Sequence, residues 1–249
     1  MTNRASFDFT GATVLVTGGT SGIGHATATL LRDCGAHMTI TGTKPSTGDY
    51  DVDLGGMAYR QFSVTDSVQA DELAASFSAL DILINNAGAN FPGGLDESTV
   101  EGFAASVDVN LLAPFRLTTG LREALKSSRA AGGASVVMLA SMAAMRAVPM
   151  VPGYGAAKAG VLSLTRNLAV RWAGDGIRVN AVVPGVTATR MTAPMDYVPE
   201  VKQEQLDHIP LDRFASPAEI AAPILFLCSE NASYCTGSAL VVDGGYSVV

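Results

Sequence analysis

Short apolar runs recur along this chain, separated by longer stretches with helical spacing. From Thr13 the β-type runs are TVLVT, HMTIT, YRQFSV, DILINN, SVVMLA, IRVNAVV and ALVVD; helical segments such as HATATLLRD and the long stretch from Tyr154 fall between them. The runs are continuously apolar rather than alternating, which predicts strands covered by helices on both faces. Strands that return between helices imply right-handed crossovers and a mostly parallel sheet. No linker breaks the pattern, so the expected fold is a single doubly wound α/β domain over residues 9–249, after an N-terminal tail of residues 1–8.

Local punctuation agrees with this pattern. A first helix runs past Gly24 to Gly35, a C-terminal glycine cap, while Ser216-Pro217-Ala218-Glu219 offers an N-cap, a first-turn proline and a capping-box glutamate before AAPILFLC. Between Thr43 and Met57 the turn-rich Lys44-Pro45-Ser46-Thr47-Gly48-Asp49 has little helical spacing. The second crossover is therefore expected to lack a full helix.

Composition narrows the function classes. With 48% hydrophobic and 16% charged residues, the chain is too apolar for disorder. No run reaches the roughly 20 uncharged apolar residues of a membrane span, and the opening MTNRASFDF has no signal core, so cytoplasmic residence is expected. A net charge of −7 argues against a nucleic-acid partner, since a phosphate backbone needs a basic stripe. The three cysteines, Cys34, Cys228 and Cys235, share no CxxC spacing and read as free thiols, with no metal site.

The chemistry lies in three places. Thr17-Gly18-Gly19-Thr20-Ser21-Gly22-Ile23-Gly24 follows the first strand and opens the first helix. Glycines there let the backbone approach a pyrophosphate, and the helix N-terminus offers free N–H groups. In Tyr154-Gly155-Ala156-Ala157-Lys158 the i and i+4 side chains share a helix face, so the ammonium is expected to lie beneath the phenol and lower its pKa. Ser141 follows the strand SVVMLA, at the carboxyl end of the sheet where open α/β folds bind ligands, and its hydroxyl can donate to a developing oxyanion.

Taken in order, these motifs resemble the classical short-chain dehydrogenases/reductases from about Phe9 to the C-terminus. The first turn looks like that family's TGxxxGIG, Asn85-Asn86-Ala87-Gly88 like its NNAG, and Ser141, Tyr154 and Lys158 fall at its serine-then-YxxxK spacing. Pro184-Gly185 and Val242-Asp243-Gly244-Gly245 match its later signatures. The resemblance implies a Rossmann-type fold and a nicotinamide-dependent oxidoreductase that interconverts a ketone and a secondary alcohol. Asn110, Ser141, Tyr154 and Lys158 would then be catalytic, Asn110 by breaking a helix and holding a water beside the lysine. Implied cofactor contacts are Gly18, Thr20, Ser21, Gly22, Ile23 and Gly24, then Ser63 and Val64, then Asn86, Ala87 and Gly88. Tyr154, Lys158, Pro184, Gly185, Thr187 and Thr189 complete the set, with Thr189 at the nicotinamide carboxamide.

Cofactor choice is read at the end of the second strand, where a carboxylate would hydrogen-bond the ribose of NAD and repel a phosphate. That position is Gly42, followed by Thr43 and Lys44, which favours NADP(H) with NAD(H) as the alternative. Ser21, inside the glycine turn, stands where many NADP-using relatives carry a basic residue, and Ser63 where relatives often carry an aspartate.

The substrate pocket implied by the resemblance is walled by residues 191–209, 142–151 and 90–95. These contain Met142, Met145, Met150, Met191 and Met195, which suit an adaptable apolar cavity for a small or 3-oxoacyl-like carbonyl substrate. Arg146, and Arg190 just ahead of the first segment, are the candidates for binding an acidic substrate group, and His208 and Tyr197 are also within reach of the pocket. The family's usual homotetramer, or a homodimer, is expected to bury the helices bearing Asn110 and Tyr154. Two other readings stay open: an NAD-dependent alcohol or diol dehydrogenase, and a non-catalytic dinucleotide-binding sensor or assembly protein.

Overall fold

The computed structural model describes residues 6–249; of the expected tail, residues 1–5 lie outside the described residues. The chain runs β1 (Thr13–Val16), α1 (Gly22–Asp33), β2 (His37–Gly42), β3 (Ala58–Gln61), α2 (Ser67–Ala75), β4 (Ile82–Asn85), α3 (Val100–Val107) and α4 (Ala113–Gly120). It continues through α5 (Arg122–Lys126), β5 (Ala134–Leu139), α6 (Pro152–Trp172), β6 (Ile177–Pro184), α7 (Pro199–Asp207), α8 (Pro217–Cys228) and β7 (Ala239–Val242). All seven strands pair in parallel in the order β3-β2-β1-β4-β5-β6-β7. The order reverses between β1 and β4, which opens a crevice at the carboxyl ends of those strands.

The two faces of the sheet divide the core by the period of two along each strand. On β4, Leu83 packs with Leu117 of α4, with Leu121 just beyond it, and with Val161, Leu168 and Trp172 of α6. Its neighbours Ile82 and Ile84 pack on the other face with Ala28 and Leu31 of α1 and with Ile220 and Ile224 of α8. Strands β5 and β6 are buried at every position, as continuous apolarity predicts. The outer strands depart from it: β3 and β7 lie at the two edges and remain mostly exposed despite the apolar sequence of β7.

The helix ends follow their local chemistry. Gly35 takes a φ of +92° just beyond α1, a conformation that costs other residues strain. The Ser216 hydroxyl accepts from the Glu219 N–H, and the Glu219 carboxylate accepts from the Ser216 N–H, closing the capping box of α8. Between β2 and β3 there is only one 3₁₀ turn, Thr47–Asp49. Among the described residues no helix is long and apolar enough to cross a membrane.

Candidate active site

The register Val16↔Ile84 sets the glycine turn after β1 beside the NNAG segment after β4. Asn86 fastens the two: its amide donates to the carbonyls of Thr17 and Gly18 at 3.0 and 3.1 Å, while the Thr17 hydroxyl accepts from the N–H groups of Asn86 and Ala87. The Asn86 side chain is thus spent on bracing the turn. A Cβ on Gly24 would stand 2.3 Å from both Asn86 Nδ2 and the Gly18 carbonyl, so nothing larger than glycine fits.

These residues suit a dinucleotide. Ser21 places no side chain on the free N–H groups of α1, and the first turn of α1 carries no acidic residue, so a phosphate finds donors and the positive dipole end together. Across this turn lies Thr189, whose methyl group is 3.2 Å from where a Gly22 Cβ would be. Thr192 holds that strap, donating to the Thr187 carbonyl at 2.6 Å and accepting from the Thr189 N–H at 3.0 Å. The Thr187 hydroxyl turns back to the Gly185 carbonyl, and Gly185 is pressed against Asp243. Val64 packs against the core, and the Ser63 hydroxyl meets Thr65 at 3.3 Å.

At the end of β2 the space above Gly42 is filled from the following loop. A Cβ there would be 2.3 Å from Tyr50 Oη and 2.8 Å from the Thr20 methyl. The Tyr50 hydroxyl accepts from the Lys44 N–H at 2.9 Å and shares a hydrogen bond with Tyr59. The Lys44 ammonium lies 4.9 Å from the Tyr50 ring centre and donates to the Asp49 carbonyl. Thr43 is exposed. Tyr50 escaped the sequence analysis because it lies in a turn-rich segment with no motif; the missing side chain at Gly42 was the only sign of a neighbour.

The catalytic candidates converge at the other end of this crevice. Tyr154 and Lys158 stand one turn apart on α6, with the Lys158 ammonium 5.4 Å from the Tyr154 ring centre and donating to the Leu139 carbonyl at 2.7 Å. Ser141, two residues beyond β5, accepts from the Ala143 N–H at 3.2 Å and lies close enough to the Tyr154 hydroxyl to favour its ionised form. Asn110 is fully buried in a π turn, Asp108–Leu112, that interrupts the helical run between α3 and α4. Its amide donates to the carbonyls of Ala89 and Ser106, and its oxygen accepts from the Ala89 N–H. A Gly88 Cβ would lie 2.7 Å from Asn110 Oδ1 and 3.4 Å from Lys158 Nζ, so NNAG, the π turn and α6 meet at one point.

The electrostatics differ from the sequence expectation. Burial pushes the Tyr154 phenol above its usual pKa; the nearby Ser141 hydroxyl opposes this, and the Glu97 carboxylate adds to it. Lys158 does not reverse the shift, and burial pulls its own pKa down to about 8. Glu97 itself was missed in the sequence, where it is one acid among DEST. It is 1% exposed, with Oε1 accepting from the Phe91 N–H at 2.9 Å and Oε2 from the Tyr154 N–H at 2.7 Å.

On the substrate side, Met142, Val186, Ile209 and Tyr246 form a small apolar cluster joined by Val148, Met195 and Phe214. Met145, Met150, Met191 and Tyr197 are exposed. Arg146 is committed elsewhere: it donates to the Tyr246 carbonyl at 2.8 Å and stacks on the Tyr246 ring. His208 stacks on the same ring, and Tyr246 donates to Gln205, so the C-terminal segment is tied to α7. Arg190 is exposed.

Comparison with known proteins matches this arrangement to a family. A family model described as enoyl-(acyl carrier protein) reductase matches residues 18–247. The chain is 37% identical over 248 residues to cis-4-hydroxycyclohexanecarboxylate dehydrogenase of Sinomonas cyclohexanicum, covering 94% of this chain and 96% of the relative. It is 36% identical to cyclohexanol dehydrogenase of an Acinetobacter species, covering 96% of each. The crystal structure of a putative 2-deoxy-D-gluconate 3-dehydrogenase from Agrobacterium tumefaciens with bound NADP superimposes with a TM-score of 0.86 at 32% identity, covering 99% of this chain and 100% of that one. With a doubly wound parallel sheet, a glycine cradle at its switch point and matches along nearly its whole length, the chain belongs to the short-chain dehydrogenase/reductase family, oxidoreductases acting on alcohol and ketone groups.

Proposed function

We propose that this chain reversibly oxidises a small apolar secondary alcohol, of the size of a six-membered ring, to its ketone with NADP(H). The observation that carries the substrate class is the apolar cluster of Met142, Val186, Ile209 and Tyr246 beside the catalytic candidates, with the nearby Arg146 already bound to the C-terminal backbone. An apolar cluster starting at Met142, the residue after Ser141, with Arg146 bound to the C-terminal backbone, suits an uncharged ring better than a charged group. The names of the two relatives share the six-membered ring alcohol, uncharged in cyclohexanol and bearing a carboxylate in cis-4-hydroxycyclohexanecarboxylate.

Within this reading each residue has one task. A bound nicotinamide supplies or accepts the hydride. Ser141 and Tyr154 hold the substrate oxygen by hydrogen bonds. In ketone reduction Tyr154 gives its hydroxyl proton to that oxygen, and in alcohol oxidation it takes the proton back. Lys158 would hold the ribose side of the cofactor, and Asn110, which fixes the π turn beside it, would leave room for a water linking Lys158 to solvent. The test is a screen of cyclohexanol, substituted cyclohexanols and short 3-oxoacyl esters with both cofactors, followed by nicotinamide absorbance. Turnover of the acyl esters in preference to the ring alcohols overturns the substrate assignment.

The NADP(H) reading is supported by the absence of a carboxylate at Gly42 and by the exposed Lys44 two residues on, whose ammonium suits a 2′-phosphate. Gly42→Asp alone collides with Tyr50, so the informative variant is the double substitution with Tyr50→Ala. It is expected to swing the ratio of kcat/KM for the two cofactors toward NAD(H) by about 100-fold, near 2.7 kcal/mol of differential binding. A ratio unchanged from the parent would place the 2′ site elsewhere.

A tetramer is supported by a groove between α4 and α6 in which Phe115, Leu164 and Val170 lie beside Arg166, Asn167 and Arg171, and by the exposed Leu240 and Val241 of β7.

A further inference from the structure

We infer that Glu97 is a positioning residue for the proton donor: its buried carboxylate clamps the start of α6 and the loop after NNAG into one unit and so fixes where the Tyr154 hydroxyl stands. This rests on the assignment of Tyr154 as that donor. The geometry is that of a cap supplied from a distance. Helix α6 begins at Pro152 after Val151, which offers no side-chain cap, so the helix lacks a local acceptor for its first N–H groups. Glu97 provides one, taking the Tyr154 N–H at 2.7 Å and bringing negative charge to the positive end of the helix.

The second oxygen of the same carboxylate accepts from the N–H of Phe91, a non-glycine residue held at a φ of +48°. That conformation is strained for a phenylalanine and persists only where the surroundings hold it. Close backbone contacts keep the carboxylate in place. A Cβ on Gly153 would stand 3.1 Å from Glu97 Oε2 and 2.9 Å from the Ser106 side chain, and a Cβ on Gly102 would stand 2.0 Å from the Asp96 carbonyl. Among the described residues no lysine or arginine forms an ion pair with Glu97. A charge buried without an ion-pair partner is costly, and here two backbone N–H groups and a helix end are what hold it.

The charge also reaches the phenol. The ionisable groups around it are Glu97 ahead of α3 and Lys158 on its own helix. Of the other charged groups on elements packed against α6, Glu101 on α3 is exposed and Asp108 in the π turn is half-buried. Arg178 on β6 is spent on the carbonyls of Gly132, Leu227 and Ala232. Glu97 is the one of these whose charge raises the Tyr154 pKa.

The test compares Glu97→Gln and Glu97→Asp with the parent full-length protein, using cyclohexanol or the best alcohol of the screen above. The glutamine is isosteric but neutral and accepts through only one atom. The aspartate keeps the charge but is one methylene too short to reach both amides. Both are expected to lose kcat by about 10- to 100-fold per cofactor-binding site, with the cofactor dissociation constant unchanged. Only the glutamine variant should move the pH profile, toward lower pH, because it alone removes the charge that opposes phenolate formation. Hydrogen exchange supplies a readout free of turnover: the Tyr154 and Phe91 amides should lose protection in both variants while the core strands keep theirs.

Amides that exchange faster with an unchanged kcat and pH profile would make Glu97 a purely structural cap and overturn the inference. So would activity that falls only in step with the fraction of folded protein. Should the glutamine variant not fold, the aspartate decides alone: a parental kcat refutes the role, and a reduced kcat with a parental pH profile supports it. If Tyr154 is not the donor, Tyr154→Phe keeps its activity, a result independent of either Glu97 variant.

Discussion

Tyr154→Phe is expected to reduce turnover by roughly 10²- to 10⁴-fold, the range attributable to a positioned general acid or base, while cofactor affinity stays within about twofold of the parent. The substitution removes one oxygen and little else. The ring remains against α6, and the hydrogen bond to Glu97 is made by the Tyr154 backbone N–H, so the helix start survives the change. Lys158 keeps its bond to the Leu139 carbonyl, so its ammonium stays where it is in the parent. The loss should therefore appear in kcat. Steady-state oxidation of the screened alcohol and fluorescence titration with the cofactor measure the two quantities on the same preparation. Undiminished turnover would remove Tyr154 from the proton chemistry, and with it the mechanism proposed for Ser141 and Lys158.

Direction matters for the pH dependence of the parent enzyme. Because burial and Glu97 hold the Tyr154 phenol above its usual pKa, the form ready to donate a proton dominates through neutral and mildly alkaline pH. Ketone reduction is then favoured over that range, and alcohol oxidation should rise as pH increases toward the phenol's ionisation. A nicotinamide carries its own positive charge when oxidised, so the bound complex should ionise at lower pH than the free protein.

The sequence pattern disclosed most of the fold because its two determinants are local. Apolar runs of strand length and glycine, serine or proline punctuation mark each element where it occurs, as at Gly35 and Ser216. The burial of an individual strand is not local. ALVVD reads as a core strand, yet β7 is exposed because nothing lies beyond it in the sheet, a fact carried by topology rather than by its own residues.

The site divides the same way. Tyr154, Lys158, Ser141 and Asn110 could be named from spacing and from family resemblance, since each belongs to a motif. Glu97 and Tyr50 could not, because each acts through a backbone group far along the chain: Glu97 on an amide 57 residues away, and Tyr50 by filling the space above Gly42. The complementary glycines were visible, but an absent side chain does not say what occupies its place. The sign of the Tyr154 shift was missed for a related reason. A Tyr-Lys pair at i and i+4 announces the ammonium, while the burial that outweighs it comes from the whole surrounding fold.

Lys158→Met should separate activity from stability more sharply than any other substitution in this chain. Lys158 is 4% exposed, its one hydrogen-bond acceptor is a neutral carbonyl, and its pKa is lowered from 10.5 to about 8. At pH 7 the unfolded chain and the folded chain both carry the charge, but only the folded one carries it buried, at a cost of about 3 kcal/mol. Methionine fills a similar volume without the charge, so that cost disappears in the variant. The Leu139 carbonyl then loses its donor, which returns about 1–3 kcal/mol and brings the two proteins close together at neutral pH.

The pH slope, rather than the difference at one pH, carries the information. Above pH 8 the folded lysine releases its proton while the unfolded one keeps it until about 10.5, so the unfolded state binds more protons and the parent gains stability with rising pH. Between pH 7 and 9.5 the parent should gain about 2 kcal/mol relative to Lys158→Met, read from urea denaturation at each pH. At pH 7, where the parent's lysine is still charged, the variant should show turnover reduced by about 100-fold or more, since neither the phenol nor the cofactor ribose then has an ammonium beside it. A stability difference that does not change with pH would mean that Lys158 stays fully protonated in the fold. Tyr154 would then stand beside a permanent positive charge, and its pKa would have to lie lower than burial and Glu97 alone would set it.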